Sequence, residues 1–289
     1  MGHAKQWLIF PENMGPYLSI DETALSTGEL YTIITNKRAK GKRGSIVAIF
    51  SGTKVEPIIE QLLKVPAKKR VMVREITLDM ANSMKTIAKK CFPKAILVTN
   101  RFHVQKLTLE AIQDIRIKHR WDAIDLENEQ IKRAKAKNRT FTPKEFANGD
   151  ARKQLLAGSR YLLYKAPNNW TENQLERSRI LFAQYPDIKI AFNLVQGIRN
   201  IFNTATSIET AYTKLAHWHK DVENTGFRAF NTIANTISLN YRSILNYFIN
   251  RSTNASAESF KAKIKAFKAQ FRGVKNVEFF LYRLTTIFA

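Results

Sequence analysis

Three acidic residues stand where carboxylates could meet in the folded chain. Asp21 and Asp79 each end a predicted strand, and Glu258 lies in the first turn of a predicted late helix. If the two strands are neighbours in one sheet, both Asp side chains emerge at the same edge. Carboxylate oxygens are the ligands that hard divalent cations such as Mg²⁺ prefer. Glu258 would complete a site for such ions if its helix packs beside the same strand ends.

Each carboxylate also has an ordinary structural interpretation. Asp79 before a helix is a common N-cap, Asp21 could open a turn, and Glu258 could interact favourably with the helix dipole. Taken singly, the structural role is the better interpretation of each residue. Their joint placement on two strands and a late helix favours a metal site, where a pair of ions could serve phosphoryl transfer.

The first third of the chain predicts the elements that would position these residues. Apolar and β-branched patterns predict strands over 17–22, 30–35 and 45–50, a helix over 54–64, a strand over 71–79, a helix over 80–91 and a buried strand over 95–98. The order βββαβαβ predicts an α/β fold with a mixed sheet covered by helices. From about 102 to 248, helical patterns follow one another. A closing helix presents Phe260, Ile264, Phe267 and Phe271 on one face.

The charge of the chain predicts a polyanionic partner. Lys and Arg number 47 against 24 acidic residues, a formal net charge of +23. Nucleic acid and an anionic membrane both attract such a chain, but no apolar run reaches the roughly 18 residues of a spanning helix. The N-terminus also lacks a signal peptide, so we expect a soluble, intracellular protein. The connection over 36–44 is predicted to be a solvated basic hairpin tip that carries Lys37, Arg38, Lys40, Lys42 and Arg43.

Other features exclude several classes of site. The single cysteine, Cys91, excludes an intrachain disulfide and a Cys-rich zinc finger within this sequence, and its place on an apolar stripe predicts a core residue. The sequence contains neither a P-loop nor a dinucleotide fingerprint, so no nucleotide cofactor is implied. Trp170 and Trp218 could stack on an extruded base, but a core position is the better prediction for both.

Three ordered segments resemble a known family. They are Ser19-Ile-Asp-Glu-Thr23, Arg101-Phe-His-Val-Gln-Lys106, and Ala257-Glu-Ser-Phe-Lys-Ala-Lys-Ile-Lys265 with the following Phe271-Arg-Gly-Val274. The set resembles DDE transposases of the ISL-three group of bacterial insertion sequences, from about Leu18 to Arg283. The resemblance implies an RNase H-like, retroviral-integrase-like mixed sheet interrupted by a large all-helical insertion. It implies a short lead-in over 1–16, a first part of the catalytic core over 17–117, the insertion over 118–250 and a closing helical segment over 251–289.

The resemblance also implies a chemistry and partners. The family's catalytic and metal-binding carboxylates fall on Asp21, Asp79 and Glu258, with Mg²⁺ or Mn²⁺, as two ions, as the cofactor. These would cleave DNA at the insertion-sequence ends and transfer the strands into target DNA, in a homo-oligomer on DNA in the bacterial cytoplasm, associated with the nucleoid. The basic connection would hold DNA phosphates through Lys37, Arg38, Lys40, Lys42 and Arg43. Candidate phosphate ligands near the site are Arg101, Lys263, Lys265 and Arg272.

Three departures from the family leave an alternative open. One is that relatives often have Asn where this chain has Lys261. Relatives usually carry Asp where this chain has Asn100, and they commonly have an N-terminal zinc-binding and helix-turn-helix region, whereas about twenty residues precede Asp21 here. We therefore expect either a separate polypeptide that recognises the DNA ends or a truncated copy. The alternative function is a catalytically inactive or truncated remnant that only binds DNA.

Overall fold

The computed structural model describes residues 6–24, 29–251, 255–270 and 276–289, and it leaves the side chains of 255–258 and 261 undescribed. The chain divides into two compact units. A sheet unit comprises 1–103 and 240–289, and a helical unit comprises 104–239.

The sheet unit is built on six strands. They are β1 (Trp7–Ile9), β2 (Tyr17–Ala24), β3 (Leu30–Asn36), β4 (Ile46–Ser51), β5 (Glu75–Leu78) and β6 (Ile96–Thr99), in the spatial order β1-β4-β3-β2-β5-β6. The pairs β1–β4, β4–β3 and β3–β2 are antiparallel, whereas the pairs β2–β5 and β5–β6 are parallel. The mixed sheet confirms the predicted α/β class.

One face of the sheet packs on α1 (Val55–Leu63) and α3 (Asn82–Cys91). Their buried stripes include Ile58 and Leu62 on α1, and Met84 and Ile87 on α3, as the helical spacing predicts. The other face packs on α12 (Ala255–Gln270) and α13 (Val277–Phe288). On α12, Phe260 and Ile264 are buried and Phe267 is partly buried, whereas Phe271 lies outside the described residues.

Two elements differ from the sequence prediction. The three residues of β1 form an edge strand on β4, within the stretch that the resemblance assigns to a short lead-in. The sequence predicted no strand there, because so short a strand gives no alternation to detect. The strand predicted to begin at Val71 begins instead at Glu75. Pro66 precedes a short helix, α2 (Ala67–Val71), which takes up the start of the predicted strand.

The helical unit is formed by helices throughout most of its length. These are α4 (Arg101–Ala136), α5 (Arg152–Gly158), α6 (Arg160–Tyr164), α7 (Glu172–Gln184), α8 (Pro186–Thr204), α9 (Ile208–Thr225) and α10 (Arg228–Leu245); α4 and α10 continue into the sheet unit, which also contains α11 (Tyr247–Asn250). The predicted capping box at the start of α7 is present, with Thr171 and Gln174 exchanging hydrogen bonds. None of the helices in the described ranges has the length and apolar character needed to cross a membrane.

The two tryptophans considered for base stacking belong to the packing of the helical unit. Trp218 is buried and its indole donates to the Leu194 carbonyl. Trp170 donates to the Leu162 carbonyl and packs its ring against Phe192, with the ring centroids 5.4 Å apart. The core interpretation of both residues is therefore the one that the structure supports.

Candidate active site

Asp21 and Asp79 lie at matching positions of two neighbouring parallel chain segments. In the β2–β5 ladder Ser19 pairs with Thr77, and Asp21 and Asp79 each stand two residues further along. Since side chains alternate along a strand, both Asp residues follow the face of Ser19 and Thr77, and neighbouring strands lie about 4.8 Å apart. The register therefore puts the two residues at neighbouring positions of the backbone, where the pairing of β2 with β5 ends.

The structure corrects the prediction that Asp21 ends its strand. Asp21 is the fifth of eight residues of β2 and pairs with Ile33 of β3, and β2 continues to Ala24. On the other side, pairing with β5 stops at Ser19, because β5 itself ends at Leu78. On its β3 side Asp21 is therefore paired. On its β5 side it lies just beyond the last paired residue, next to the backbone position of Asp79.

Both carboxylates are half-buried and anchored by backbone donors. Asp21 Oδ1 accepts from the Glu22 N–H at 2.9 Å, and Asp79 Oδ1 accepts from the Ala81 N–H at 2.7 Å. The N-cap interpretation of Asp79 is wrong, because the N-cap of α3 is Ala81; Asp79 instead closes the local turn that precedes the helix. This role fixes the carboxylate and still leaves it at the carboxyl end of β5.

Lys85 is a neighbour of Asp79 that sequence reasoning missed. Burial lowers the pKa of this lysine, and the Asp79 carboxylate acts in the opposite direction. The electrostatic interaction indicates that an ammonium group in the first turns of α3 is close to the candidate site. The only sequence signal for it is a basic residue six positions after Asp79, which is a common pattern on a solvated helix.

Helix α12 packs on the sheet face that carries Asp21. Phe260 and Ile264 line a small pocket together with Asp21 and Thr35. Glu258 belongs to α12, two residues before Phe260, but its side chain lies outside the described part of the structure. Among the described side chains, no cluster of three or more His, Cys, Asp or Glu residues is arranged to hold a metal ion. The structure thus places Asp21 beside the helix that carries Glu258, and the β2–β5 register places Asp79 at the neighbouring backbone position.

Asn100 and Arg101 follow β6 at the same end of the parallel strands. Asn100 is buried, and its Oδ1 accepts from the Phe102 N–H at 3.1 Å, which makes it the N-cap of α4. Its own N–H donates to the Leu78 carbonyl at 3.0 Å, next to Asp79. The Arg101 guanidinium donates to the Tyr247 hydroxyl at 3.4 Å. Three neighbouring strands therefore contribute polar residues to this side of the sheet, Asp21 from within β2 and Asp79 and Asn100 from just after β5 and β6.

The basic connection between β3 and β4 differs from the prediction at one residue. Lys37 is not part of a solvated tip, because its ammonium lies 3.0 Å from Glu75 and 2.7 Å from the Thr77 hydroxyl, and both charged side chains are at least nine-tenths buried. The short 3₁₀ turn over Lys37–Ala39 directs this lysine back over the sheet. Lys37 is thereby an internal ion-pair residue and not an available phosphate ligand.

The remaining described cations of the predicted set are available on the surface. Arg38, Lys40, Lys42, Arg43 and Lys265 are exposed, and the exposed Lys263 donates to the Gly41 carbonyl at 2.8 Å. Gly41 has a φ of 72°, and an added Cβ would lie 3.2 Å from the Lys263 ammonium, so this close approach favours glycine. The bond joins α12 to the connection. Arg272 lies outside the described residues.

The comparisons with known proteins identify the family. A family model of the DDE transposases of the ISL-three group, described as "Transposase", matches residues 18–284. No curated protein and no solved structure matches the chain. The matched region contains the whole sheet from β2 onwards, both Asp residues and the helix that carries Glu258. The chain therefore belongs to the ISL-three family of transposases.

Proposed function

We propose that this protein catalyses metal-dependent cleavage of DNA at insertion-sequence ends and the transfer of the cut strands into target DNA. The observation that supports the proposal is the β2–β5 register, in which Asp21 and Asp79 each stand two residues beyond the Ser19–Thr77 pair. Family membership supplies DNA transposition as the setting. A mixed sheet with parallel strands, an internal helical unit and a returning helix fits an RNase H-like catalytic core with an all-helical insertion.

The residues present fit a hard divalent cation. Two carboxylates on chain segments about 4.8 Å apart provide the oxygen donors that Mg²⁺ and Mn²⁺ prefer. Glu258 would supply a third carboxylate. Lys263 anchors α12 to the connection between β3 and β4, which lies at the amino end of β2. Glu258 lies on the other side of Phe260 from that anchor. When bound, a pair of such ions activates the attacking oxygen and stabilises the leaving one.

The chain's own residues would hold and orient the DNA around that centre. Asp21 and Asp79 keep fixed orientations through their backbone hydrogen bonds, so little reorganisation is needed when substrate binds. Lys85 beside Asp79, and Arg101 at the start of α4, would contact the phosphate at the cut. Phosphate contacts give affinity without sequence choice. Recognition of the ends therefore falls to other contacts or, as we propose, to a separate polypeptide.

The test is cleavage and strand transfer on a labelled duplex that carries the element's own end, with Mg²⁺ or Mn²⁺. Asp21→Asn and Asp79→Asn should each lower cleavage by at least 100-fold, while DNA binding, measured by fluorescence anisotropy without metal, stays within about twofold. Glu12→Gln, an exposed carboxylate of the same unit that precedes β2, is the matched control and should cleave as the unchanged protein does.

The possible outcomes separate three functions. Cleavage and joining that both vanish in the Asp variants establish the transposase. Cleavage without joining favours a nuclease. Tight DNA binding without cleavage in any variant, with a recognition partner supplied, favours the inactive remnant and overturns the proposal.

A further inference from the structure

Three arginines lie close together within the helical unit, and we call them the arginine cluster. Arg116 and Arg120 are one turn apart on α4, and Arg160 is the first residue of α6. Burial lowers the pKa of Arg116, and the charges of Arg120 and Arg160 lower it further, whereas the Tyr164 phenol acts in the opposite direction. The electrostatic interactions indicate that three positive charges share one neighbourhood.

Arg116 is fixed beneath the other two members of the cluster. Only 5% of the residue is exposed. Its Nε donates to Gln113 Oε1 at 2.7 Å, and its Nη1 donates to the Leu156 carbonyl at 2.8 Å. The Gln113 amide in turn donates to the Arg160 carbonyl at 3.2 Å, so the same bonds join α4 to α6. The described hydrogen bonds of Arg116 use two of its three guanidinium nitrogens, and Nη2 remains for another acceptor.

Arg120 and Arg160 are available for a ligand. Both are exposed, and in the part of the chain that the structure describes neither forms an ion pair with a carboxylate. The Arg160 guanidinium lies 5.6 Å from the centre of the Tyr161 ring. A guanidinium above an aromatic ring keeps its N–H donors, because they lie in its own plane. The cluster therefore combines one fixed internal donor group with two exposed ones.

The lack of a carboxylate is particular to this cluster. Elsewhere in the helical unit, Arg177 forms a two-bond pair with Asp150, at 2.7 and 3.2 Å, and Lys153 pairs with Glu127. By contrast, no acidic residue stands three or four positions from any member of the cluster on its own helix. Like charges at such short range repel one another and destabilise the fold. A bound anion would offset that cost.

The chemistry of the cluster suits a phosphate group. A guanidinium presents a planar fork of N–H donors that matches the oxygens of a phosphate, and its hydrogen bonds to a charged acceptor are strong. The formal charge of +23 favours a polyanion over a single small ion. Membership of a transposase family makes DNA the polyanion that this chain meets.

We propose that the arginine cluster binds a backbone phosphate of DNA, with Arg116 as the fixed donor and Arg120 and Arg160 as the exposed ones. The identification of the anion as DNA rests on the proposed function. The site holds DNA on the helical unit without reading its sequence, because a phosphate contact is the same for every base pair. The charges that bind DNA also oppose folding of the unit when DNA is absent.

The first experiment measures how salt weakens binding of a duplex of unrelated sequence, without metal. Arg120→Gln/Arg160→Gln removes the two exposed charges of the cluster. Arg179→Gln/Arg228→Gln removes two exposed arginines of the same unit and is the matched control. The cluster variant should bind about fivefold more weakly or worse, and its slope of log K against log salt should be smaller by about 0.9, the value for one phosphate contact. Equal affinities and slopes in the two variants would overturn the proposal.

The second experiment separates binding from support of the fold. Arg120→Gln alone removes a like charge beside Arg116 and leaves the hydrogen bonds of Arg116 in place. Without DNA and at about 10 mM salt, it should raise the melting temperature by about 2 °C, and the gain should shrink at about 150 mM salt. Saturating DNA should then raise the melting temperature of the unchanged protein more than that of the variant. A variant that melts lower and binds DNA equally well would show a purely structural role and contradict the inference.

Two outcomes keep this inference separate from the proposed function. If the unchanged protein binds DNA but does not cleave it, the proposed function fails and the inference stands, because both experiments are run without metal. Vesicles containing phosphatidylserine serve as the rival polyanion. If Arg120→Gln/Arg160→Gln loses vesicle binding and keeps duplex binding, the cluster is a lipid site and the inference is wrong.

Discussion

Lys37 and Lys40 stand three residues apart in one basic segment, yet the structure gives them opposite environments. Lys40 is exposed, whereas the Lys37 ammonium is buried against Glu75 and Thr77 of β5. Composition predicts the whole segment as a solvated tip, because the carboxylate that changes the outcome is 38 residues away in the chain. At the scale of a single residue, the sequence predicts the charge but not the partner.

The Lys37–Glu75 pair predicts an asymmetric response to mutation. Glu75→Gln leaves a buried ammonium without its carboxylate and should lower the free energy of unfolding by about 3 kcal/mol. The double variant Lys37→Met/Glu75→Leu replaces both charges by apolar groups and should recover most of that loss. Urea unfolding followed by circular dichroism measures both. A Glu75→Gln variant as stable as the unchanged protein would mean that water solvates the pair.

The buried position of Cys91 predicts an unreactive thiol. Burial raises its pKa to about 11, although the charges of Arg70 and Lys90 act in the opposite direction. At about pH 8 only about one molecule in a thousand would carry the reactive thiolate, and the side chain is buried as well. A disulfide reagent should therefore label the native protein at least 100-fold more slowly than the urea-unfolded chain. Similar labelling rates in the two states would contradict the buried position.

At the scale of elements, the spacing of apolar residues and the length of each pattern predicted most of the strands and helices of the sheet unit. Strands β2, β3, β4 and β6 and helices α1 and α3 lie where their patterns placed them, within a few residues. The same reasoning predicted that Asp21 and Asp79 share one edge of the sheet; in the β2–β5 register each stands two residues beyond the Ser19–Thr77 pair, with Asp21 inside β2 and not at its end. It could not place β1, whose three residues show no alternation. It also could not identify Lys85 as a neighbour of Asp79, because their interaction depends on the folded unit.

Asn100 predicts the behaviour of an N-cap at the start of α4. Asn100→Ala removes the acceptor of the Phe102 N–H and should cost about 1 kcal/mol of unfolding free energy, whereas Asn100→Asp keeps an acceptor and should be neutral within about 0.5 kcal/mol. Thermal and urea unfolding of the two variants test this. If Asn100→Asp also raises cleavage tenfold or more, the Asn limits activity. Equal losses of stability in both variants would exclude the capping role.

Helix α12 should couple packing to catalysis. Ile264→Val opens a small gap beneath the helix and should cost about 1 kcal/mol of unfolding free energy. Ile198→Val, a fully buried residue of the helical unit, makes the same chemical change and is the matched control. Under conditions where both variants are fully folded, we expect Ile264→Val to lower cleavage more than DNA binding, and the control to change neither. Equal cleavage in both would separate α12 from the site.

At the scale of the whole molecule, the formal charge of +23 makes the chain repel itself. Raising salt from about 10 mM to about 150 mM shortens the screening length from about 30 Å to about 8 Å and should raise the melting temperature. Differential scanning calorimetry at constant pH tests this. A melting temperature that falls over this range would mean that favourable ion pairs outweigh the repulsion.

The covering of one sheet face by α12 and α13 has a consequence during synthesis. The last strand, β6, is complete at Thr99, whereas the helix that buries Tyr31, Ile33 and Ile46 begins at Ala255, 156 residues later. At roughly 5–20 residues per second, a ribosome needs about 8–30 s to make that stretch. For that time the nascent chain holds an uncovered apolar surface, which is the kind of surface that chaperones bind. Full-length synthesis is thus a condition for closing the core that adjoins Asp21.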